Sequence, residues 1–216
     1  MVPAGPSPAR SPRTPLRHVP RGPLSATVPY HRPVEESAAT DADRTLRGAA
    51  VVLVPVGGAH VGHLRRILAT EPVRRRWGAE TASPGWPFDD PSSVRFAVMV
   101  GGAVRGMVQY TEEDEPAYRH ASIDIFLDPA VHNRGLGRDA VGTLARHLVR
   151  DRGHHRLTID PAVDNPAAIR CYAAVGFRPV GVMRRYERDP DGRGWHDGLL
   201  MDLLAEELDA TPAGPA

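Results

Sequence analysis

Two glycines one residue apart, with an arginine on either side, stand in the run His132-Asn133-Arg134-Gly135-Leu136-Gly137-Arg138. Behind them Leu136, Ala140, Val141, Leu144 and Leu148 recur at steps of three and four, the period of an amphipathic helix. A helix leaves its first amide N–H groups unpaired, and its dipole favours an anion there. Glycines at that end let a ligand approach the backbone without a Cβ in the way. The chemistry this suits is pyrophosphate binding, with Arg134 and Arg138 adding charge-assisted contacts. The same residues equally fit an ordinary glycine-rich turn that caps a helix. They do not make the dinucleotide fingerprint: Ala140 passes for its third small residue, but two or three strands precede the motif, where the fingerprint belongs to the first.

Composition removes several other chemistries. All 27 basic residues of the 216-residue chain are arginine. Without lysine there is no Walker loop, no protein-kinase strand lysine and no pyridoxal-phosphate Schiff base. The single cysteine, Cys171, excludes an intramolecular disulfide framework and a multi-cysteine zinc site, and it fits a reduced, cytoplasmic setting. The ten histidines show no metal spacing with carboxylates, so no metal is expected. No apolar run approaches the roughly 18–20 residues of a membrane span.

The first 33 residues hold nine prolines, five arginines and no acid. Proline at that density blocks regular helix, and few large apolar residues remain to offset the entropy of ordering. Residues 1–45 are therefore expected to be a disordered Pro/Arg-rich extension, and 209–216 a loose tail. The folded domain is expected over 46–208. Residues 34–216 carry 22 arginines against 26 acids, a mildly acidic balance that does not suit a nucleic-acid backbone.

The elements that must position the motif follow from periodicity. Residues 49–56 (AAVVLVPV) read as a buried strand, 60–69 as a helix and 72–77 as a second short helix. After a loop over 83–93, residues 95–100 and 106–110 form strands around the turn at Gly101-Gly102. An acidic loop over 112–115 follows, then a strand over 122–127 (SIDIFL). The helix over 135–150 ends before Gly153. A strand at 156–160 and a helix at 165–175, closed by Gly176, come next. Two strands, 178–188 and 195–204, surround a turn at 189–194. Strands and helices mix without strict alternation, which predicts an α/β (α+β) domain with one sheet and helices on its faces.

A second motif lies about 28 residues beyond Gly137: Asn165-Pro166-Ala167-Ala168-Ile169-Arg170-Cys171-Tyr172-Ala173-Ala174-Val175-Gly176-Phe177. With the glycine loop, it closely resembles the GNAT acetyltransferase superfamily. That family pairs a (Gln/Arg)-x-x-Gly-x-(Gly/Ala) loop with an Asn-x-x-Ala-x-x-x-Tyr-x-x-x-Gly-Phe helix. The resemblance covers residues 48–205, with His132 at the usual Gln/Arg position. It implies a mixed, mostly antiparallel sheet of about six to seven strands, splayed in the centre, and acetyl-CoA as co-substrate. Its pyrophosphate would lie on Arg134, Gly135, Leu136, Gly137 and Arg138, and its pantetheine along Phe126 and Leu127 like an added strand. Asp124, the turn Thr158-Ile159-Asp160-Pro161, Arg170-Cys171-Tyr172 and Trp77-Gly78 also resemble the aminoglycoside 6'-N-acetyltransferases.

Asp124 is the candidate for handling the acceptor amine, with an outward-facing aspartate on a half-exposed strand as its alternative. Alternation puts it on the same strand face as Phe126, and a carboxylate there is costly until a cation arrives. It would hold the ammonium group and take its proton. Tyr172 is the candidate general acid for the departing thiolate, with a core tyrosine as its alternative. Asn165 either contacts the cofactor or caps its helix. Asp160 either binds substrate or shapes the Asp-Pro turn. Glu112, in the acidic run 112–115, is a candidate rim for a polycationic substrate, or else part of a solvated charge run. Trp77, with Trp86 and Phe88, offers an aromatic floor. Cys171 has no evident His–acid partner and reads as structural.

The expected activity is acetyl transfer from acetyl-CoA to a primary amine of a polycationic small molecule, an aminoglycoside being the first candidate. The acceptor alternatives are a protein N-terminus, a polyamine or a siderophore hydroxylamine. The alternative of another class is a non-catalytic acyl-CoA-binding module. The expected partners are a small-molecule amine, no nucleic acid and no membrane, in a monomer or homodimer.

Overall fold

The computed structural model describes residues 44–77, 85–189 and 192–208. The expected extension lies outside these except for residues 44 and 45, and so do the 209–216 tail, Gly78, the start of the 83–93 loop and the middle of the 189–194 turn.

The elements run β1 (Leu46–Arg47), β2 (Val52–Pro55), α1 (Gly58–Leu68), α2 (Glu71–Trp77), β3 (Ser93–Val100), β4 (Ala103–Glu113), β5 (His120–Leu127), a 3₁₀ turn (Pro129–Val131), α3 (Leu136–Arg150), β6 (Arg156–Ile159), α4 (Pro166–Val175), β7 (Arg178–Arg188), β8 (Trp195–Leu204) and α5 (Ala205–Leu208). One mixed sheet has the order β1-β2-β3-β4-β5-β6-β8-β7. Only β5 and β6 pair in parallel; the other neighbours are antiparallel.

The sheet has eight strands rather than six or seven. The extra one, β1, is too short to carry a pattern and is held from a distance. The Asp139 carboxylate, in the first turn of α3, accepts the amides of Ala49, Ala50 and Val51 at 2.9, 2.7 and 3.0 Å. Residues 49–51, expected in the strand, form this turn instead. A second correction concerns the acidic run: Glu112 and Glu113 end strand β4, opposite Ala121 and His120, rather than lying in a loop.

The core explains which faces are covered. Ala140, Val141, Leu144 and Leu148 of α3 pack with Ile123, Leu157 and Met201 on one face of the sheet. On the other face Leu64 and Ile67 of α1 and Val73 of α2 cover Met107 and Phe126. Strand alternation on β5 thus sends Ile123 to one cluster and Phe126 to the other.

The centre of the sheet forks. β5 and β6 share only the pairs Ala121↔Leu157 and Ser122↔Thr158. Beyond Ile159 the chain turns its hydrogen bonds toward β8: Val163 donates to the Asp197 carbonyl, Leu199 donates to Pro161, and Ala162 bridges Gly198. Pro161 itself has no N–H to offer β5. The β6-facing edge of β5 from Ile123 to Leu127 is left without a strand partner.

Candidate active site

Two cavities meet at this fork. The first, of about 540 Å³, opens at the start of α3. Gly135 caps that helix at φ 74°, a left-handed conformation that favours glycine. The first intrahelical donor is Asp139, bonded to the Gly135 carbonyl, so the amides of Leu136, Gly137 and Arg138 precede the helical ladder. Phe126, Leu127, Gly135, Leu136, Gly137 and Asn165 all line the cavity, and Arg134 and Arg138 do not. Gly137 packs closely on α4: a Cβ there would lie 3.3 Å from Cys171 Sγ, a tight contact. His132 sits at hydrogen-bond distance, 3.1 Å, from the Leu127 carbonyl and ties the loop to the end of β5.

Asn165 caps α4, its Oδ1 accepting the Ala168 amide at 3.2 Å, and it also lines both cavities. Cys171 lines the first cavity as well, and burial pushes its thiol up to about 11, so it stays protonated and is a poor nucleophile.

The second cavity, of about 560 Å³, collects acids. Asp124, Asp160 and Glu187 all line it. Burial, then the charges of Asp160 and Glu187, push Asp124 up to about 6, against a hydrogen bond from Gln109 Nε2 at 3.3 Å. Burial also raises Asp160, which the Tyr186 phenol opposes by donating a hydrogen bond. That bond, followed by burial, drives Tyr186 up to about 12.

Tyr172 belongs to both cavities. It projects from α4 on the α3 side of the sheet and reaches the fork beside Asp124, which faces the other side. Burial, followed by the negative charges nearby, raises its phenol far above the ordinary value. It therefore keeps its proton, as a proton donor must. Trp77 also borders both cavities and meets Phe126 edge-on, with ring centroids 4.9 Å apart. Trp86 is instead buried under α1, and Phe88 is exposed; neither lines a cavity described here.

Glu112, the expected substrate rim, lies apart from the other expected substrate residues. Its carboxylate is taken by Arg152 at 2.7 Å and by His154 at 2.6 Å, outside both cavities. Sequence reasoning also missed Gln109, Tyr186 and Glu187. Each comes from a strand that the sequence placed, but it is the sheet order and register that bring each side chain beside Asp124. Among the described residues no group of three or more His, Cys, Asp or Glu is placed to hold a metal, and no helix is long and apolar enough to cross a membrane.

Residues 60–177, more than half of the chain, match the model of the acetyltransferase (GNAT) family. The chain belongs to the GNAT family. Within it, the chain is 36% identical over 73 residues to the N-alpha-acetyltransferase RimI of Mycobacterium tuberculosis (strain ATCC 25618 / H37Rv), a match covering 34% of this chain and 44% of that relative. The chain thus spans less than half the length of that curated relative. The fold superimposes on Mycobacterium smegmatis RimJ in complex with CoA-disulfide with a TM-score of 0.67 and 25% identity, over 79% of this chain and 90% of that one. It superimposes on AAC(6')-Ib in complex with ribostamycin and coenzyme A with a TM-score of 0.61 and 21% identity, over 77% and 99%, which is a likeness of fold. The forked sheet and the glycine-started helix α3 are thus the GNAT scaffold, and both cavities lie on it.

Proposed function

We propose that the protein is an acetyl-CoA-dependent N-acetyltransferase whose acceptor is a polycationic small-molecule amine, with an aminoglycoside 6'-amine the first to test. GNAT membership supports acetyl-CoA as the donor. The pyrophosphate would rest on the open amides of α3, and the pantetheine would run along the unpaired edge of β5 at Phe126 and Leu127. The acetyl carbonyl would then reach the fork, where the two cavities share Tyr172.

The single observation that carries the acceptor class is the acidic cavity: Asp124, held at about 6, faces Asp160 and Glu187. Asp124 would bind the incoming ammonium and take one of its protons, giving a neutral amine. The amine nitrogen would attack the acetyl carbon, forming the C–N bond. The C–S bond would break as the thiolate takes a proton from Tyr172, the acylated nitrogen would give its remaining surplus proton back to the Tyr172 phenolate, and Asp124 would release the first proton to solvent, leaving the amide, the free thiol and one proton. Asp160 and Glu187 would hold further charges of a polycation, and Trp77 would wall the acceptor. Arg138 would contribute its open amide at the start of α3, while the Arg134 and Arg138 side chains, which do not line the cavity, would add positive charge nearby.

A second reading is supported by the RimI relative, named an N-alpha-acetyltransferase: a peptide N-terminus is also a cation and would use the same Asp124. Thiol release with acetyl-CoA against kanamycin, spermine and a ribosomal-protein N-terminal peptide separates the two. The proposal expects the polyamines to lead and product NMR to locate the new amide. Peptide turnover alone would establish the second reading. Coenzyme A binding without turnover of any amine would leave an acyl-CoA-binding module.

A further inference from the structure

A line of polar side chains crosses three strands and ends at Asp124. Arg95 on β3, Gln109 on β4 and Asp124 on β5 are direct cross-strand partners, Arg95↔Gln109 and Gln109↔Asp124. Arg95 Nε donates to Gln109 Oε1 at 3.1 Å, and Gln109 Nε2 donates to Asp124 Oδ2 at 3.3 Å. The far side of the guanidinium is fixed too. Nη1 donates to the Asp90 and Ser93 carbonyls at 2.9 and 3.2 Å, and Nη2 pairs with the Asp90 carboxylate at 3.3 Å. The Arg95 side chain is only 10% exposed. Asp90 is in turn held ionised, at about 2, first by the hydroxyls of Ser92 and Ser93.

An amide can turn either end toward a neighbour, and its two ends have opposite effects on a carboxylate. Arginine has donors and no acceptor. Arg95 therefore accepts only one orientation of Gln109, with Oε1 toward the guanidinium and the NH₂ toward Asp124. With Arg95 gone, the amide is free to present its oxygen to Asp124, an arrangement compatible only with a protonated carboxyl. The choice between a donor and an acceptor at Asp124 is thus made two strands away.

We propose that Arg95 and Gln109 are positioning residues that orient the Asp124 carboxylate and favour its ionised, amine-binding form. The role of Asp124 in the reaction rests on the function proposed above. The relay acts against the other groups that face this carboxylate: Asp160 at the end of β6, Tyr186 and Glu187 on β7, and the Tyr172 hydroxyl on α4, all of which oppose ionisation or are uncharged. Arg76 on α2 and His196 on β8 also line the cavity, but each has acids of its own. Arg76 pairs with Asp164, and His196 lies between Glu187 and Asp189 at 3.2 and 3.1 Å. Gln109 is thus the side chain whose hydrogen bond opposes burial and the acidic neighbours at Asp124.

The test is the acid limb of the kcat/KM against pH profile in the full chain, read together with the Asp124 carboxyl titration by ¹³C NMR. Gln109→Leu should move both upward by about one pH unit, since a hydrogen bond to a charged group has that scale. Arg95→Leu should move them the same way by a similar or smaller amount, and Arg95→Lys, which restores a donor to Oε1, should bring them back toward wild type. Because Arg95 acts through Gln109, the double variant Arg95→Leu/Gln109→Leu should shift no further than Gln109→Leu alone. Unmoved titrations in folded Gln109→Leu, or additive shifts in the double variant, overturn the relay. If either leucine variant fails to fold, Gln109→Glu replaces it. That change keeps the shape, puts a negative charge beside Asp124 and should raise its titration further; an unchanged titration overturns the relay here too. Asp124→Asn separates the two ideas. Wild-type turnover in that variant sinks the function proposed for Asp124, while the NMR titration still decides the relay.

Discussion

Glu112 and Asp124 sit on neighbouring strands, both largely withdrawn from water, and they are opposites. Burial raises Glu112, but hydrogen bonds from Arg152 and His154, with the Arg152 charge, outweigh it and hold the carboxylate below its usual range. His154 is itself pushed down by burial. Its Nε2 contacts Glu112, and its Nδ1 is buried with no partner among the described residues, which suits a neutral ring with the proton on Nε2. Asp124 has acids for neighbours and one amide donor, and it is pushed up instead. The difference separates a carboxylate satisfied by its own chain from one held short of a cation. The first stabilises the fold, and the second is the one that the proposed function gives to an incoming ammonium group.

The sharpest way to break this comparison is Asp124→Asn. It should lower kcat/KM by about 10²–10⁴-fold, the range of a lost acid–base group, with a melting temperature equal to or above wild type. A fall in stability with activity retained would show that Asp124 is structural. Next in size is Glu112→Ala, which strips the Arg152 guanidinium and the buried His154 ring of their shared carboxylate. It should cost about 2–3 kcal/mol in urea unfolding, somewhat less than a fully buried pair because Glu112 retains some exposure, and leave kcat/KM unchanged. Tyr172→Phe should lower kcat about tenfold with little change in the KM for acetyl-CoA. The effect is below the usual range for a general acid because a thiolate leaves without much help.

The smallest effects come from pH, and they run in opposite directions. Asp124 has a raised pKa in the folded protein, so the stability it costs is present above about 6 and fades as pH falls from there toward its unfolded value near 3.8. The stability advantage of Asp124→Asn should therefore shrink between pH 6 and pH 4. Glu112 has a lowered pKa, so its contribution is present above its unfolded value of 4.5 and is lost as pH falls through the folded one. The deficit of Glu112→Gln should shrink only below pH 4.5. Urea midpoints measured from pH 7 to pH 3 for the three proteins check both signs. Parallel curves would mean that the two carboxylates do not differ.

Much of the donor side was legible because its signals are local. The glycine at a helix start, the apolar stripe of α3 and the Asn165 cap of α4 each lie within one or two turns of chain. Alternation on β5 correctly put Asp124 with Phe126, since a pleated strand has no other choice. The acidic run at 112–115 misled because charge density reads as solvent. The partners that draw Glu112 into β4 stand 40 and 42 residues downstream. β1 escaped notice because two residues show no period, and its anchor, Asp139, lies about 90 residues away.

By itself the sequence determined the helix terminus, the Asn165-to-Phe177 helix, the alternation of β5 and the chemical classes that an all-arginine, single-cysteine chain excludes. Only the tertiary structure decided that β5 and β6 part after two pairs, that Tyr172 and Asp124 meet from opposite faces of the sheet, and that Gln109, Asp160, Tyr186 and Glu187 surround one carboxylate. Periodicity and capping are settled by residues a few positions apart, which the chain spells out. The protonation of Asp124 depends on burial, on charges brought from the end of β6 and from β7, and on an amide from β4, and those distances exist only once register and packing are fixed.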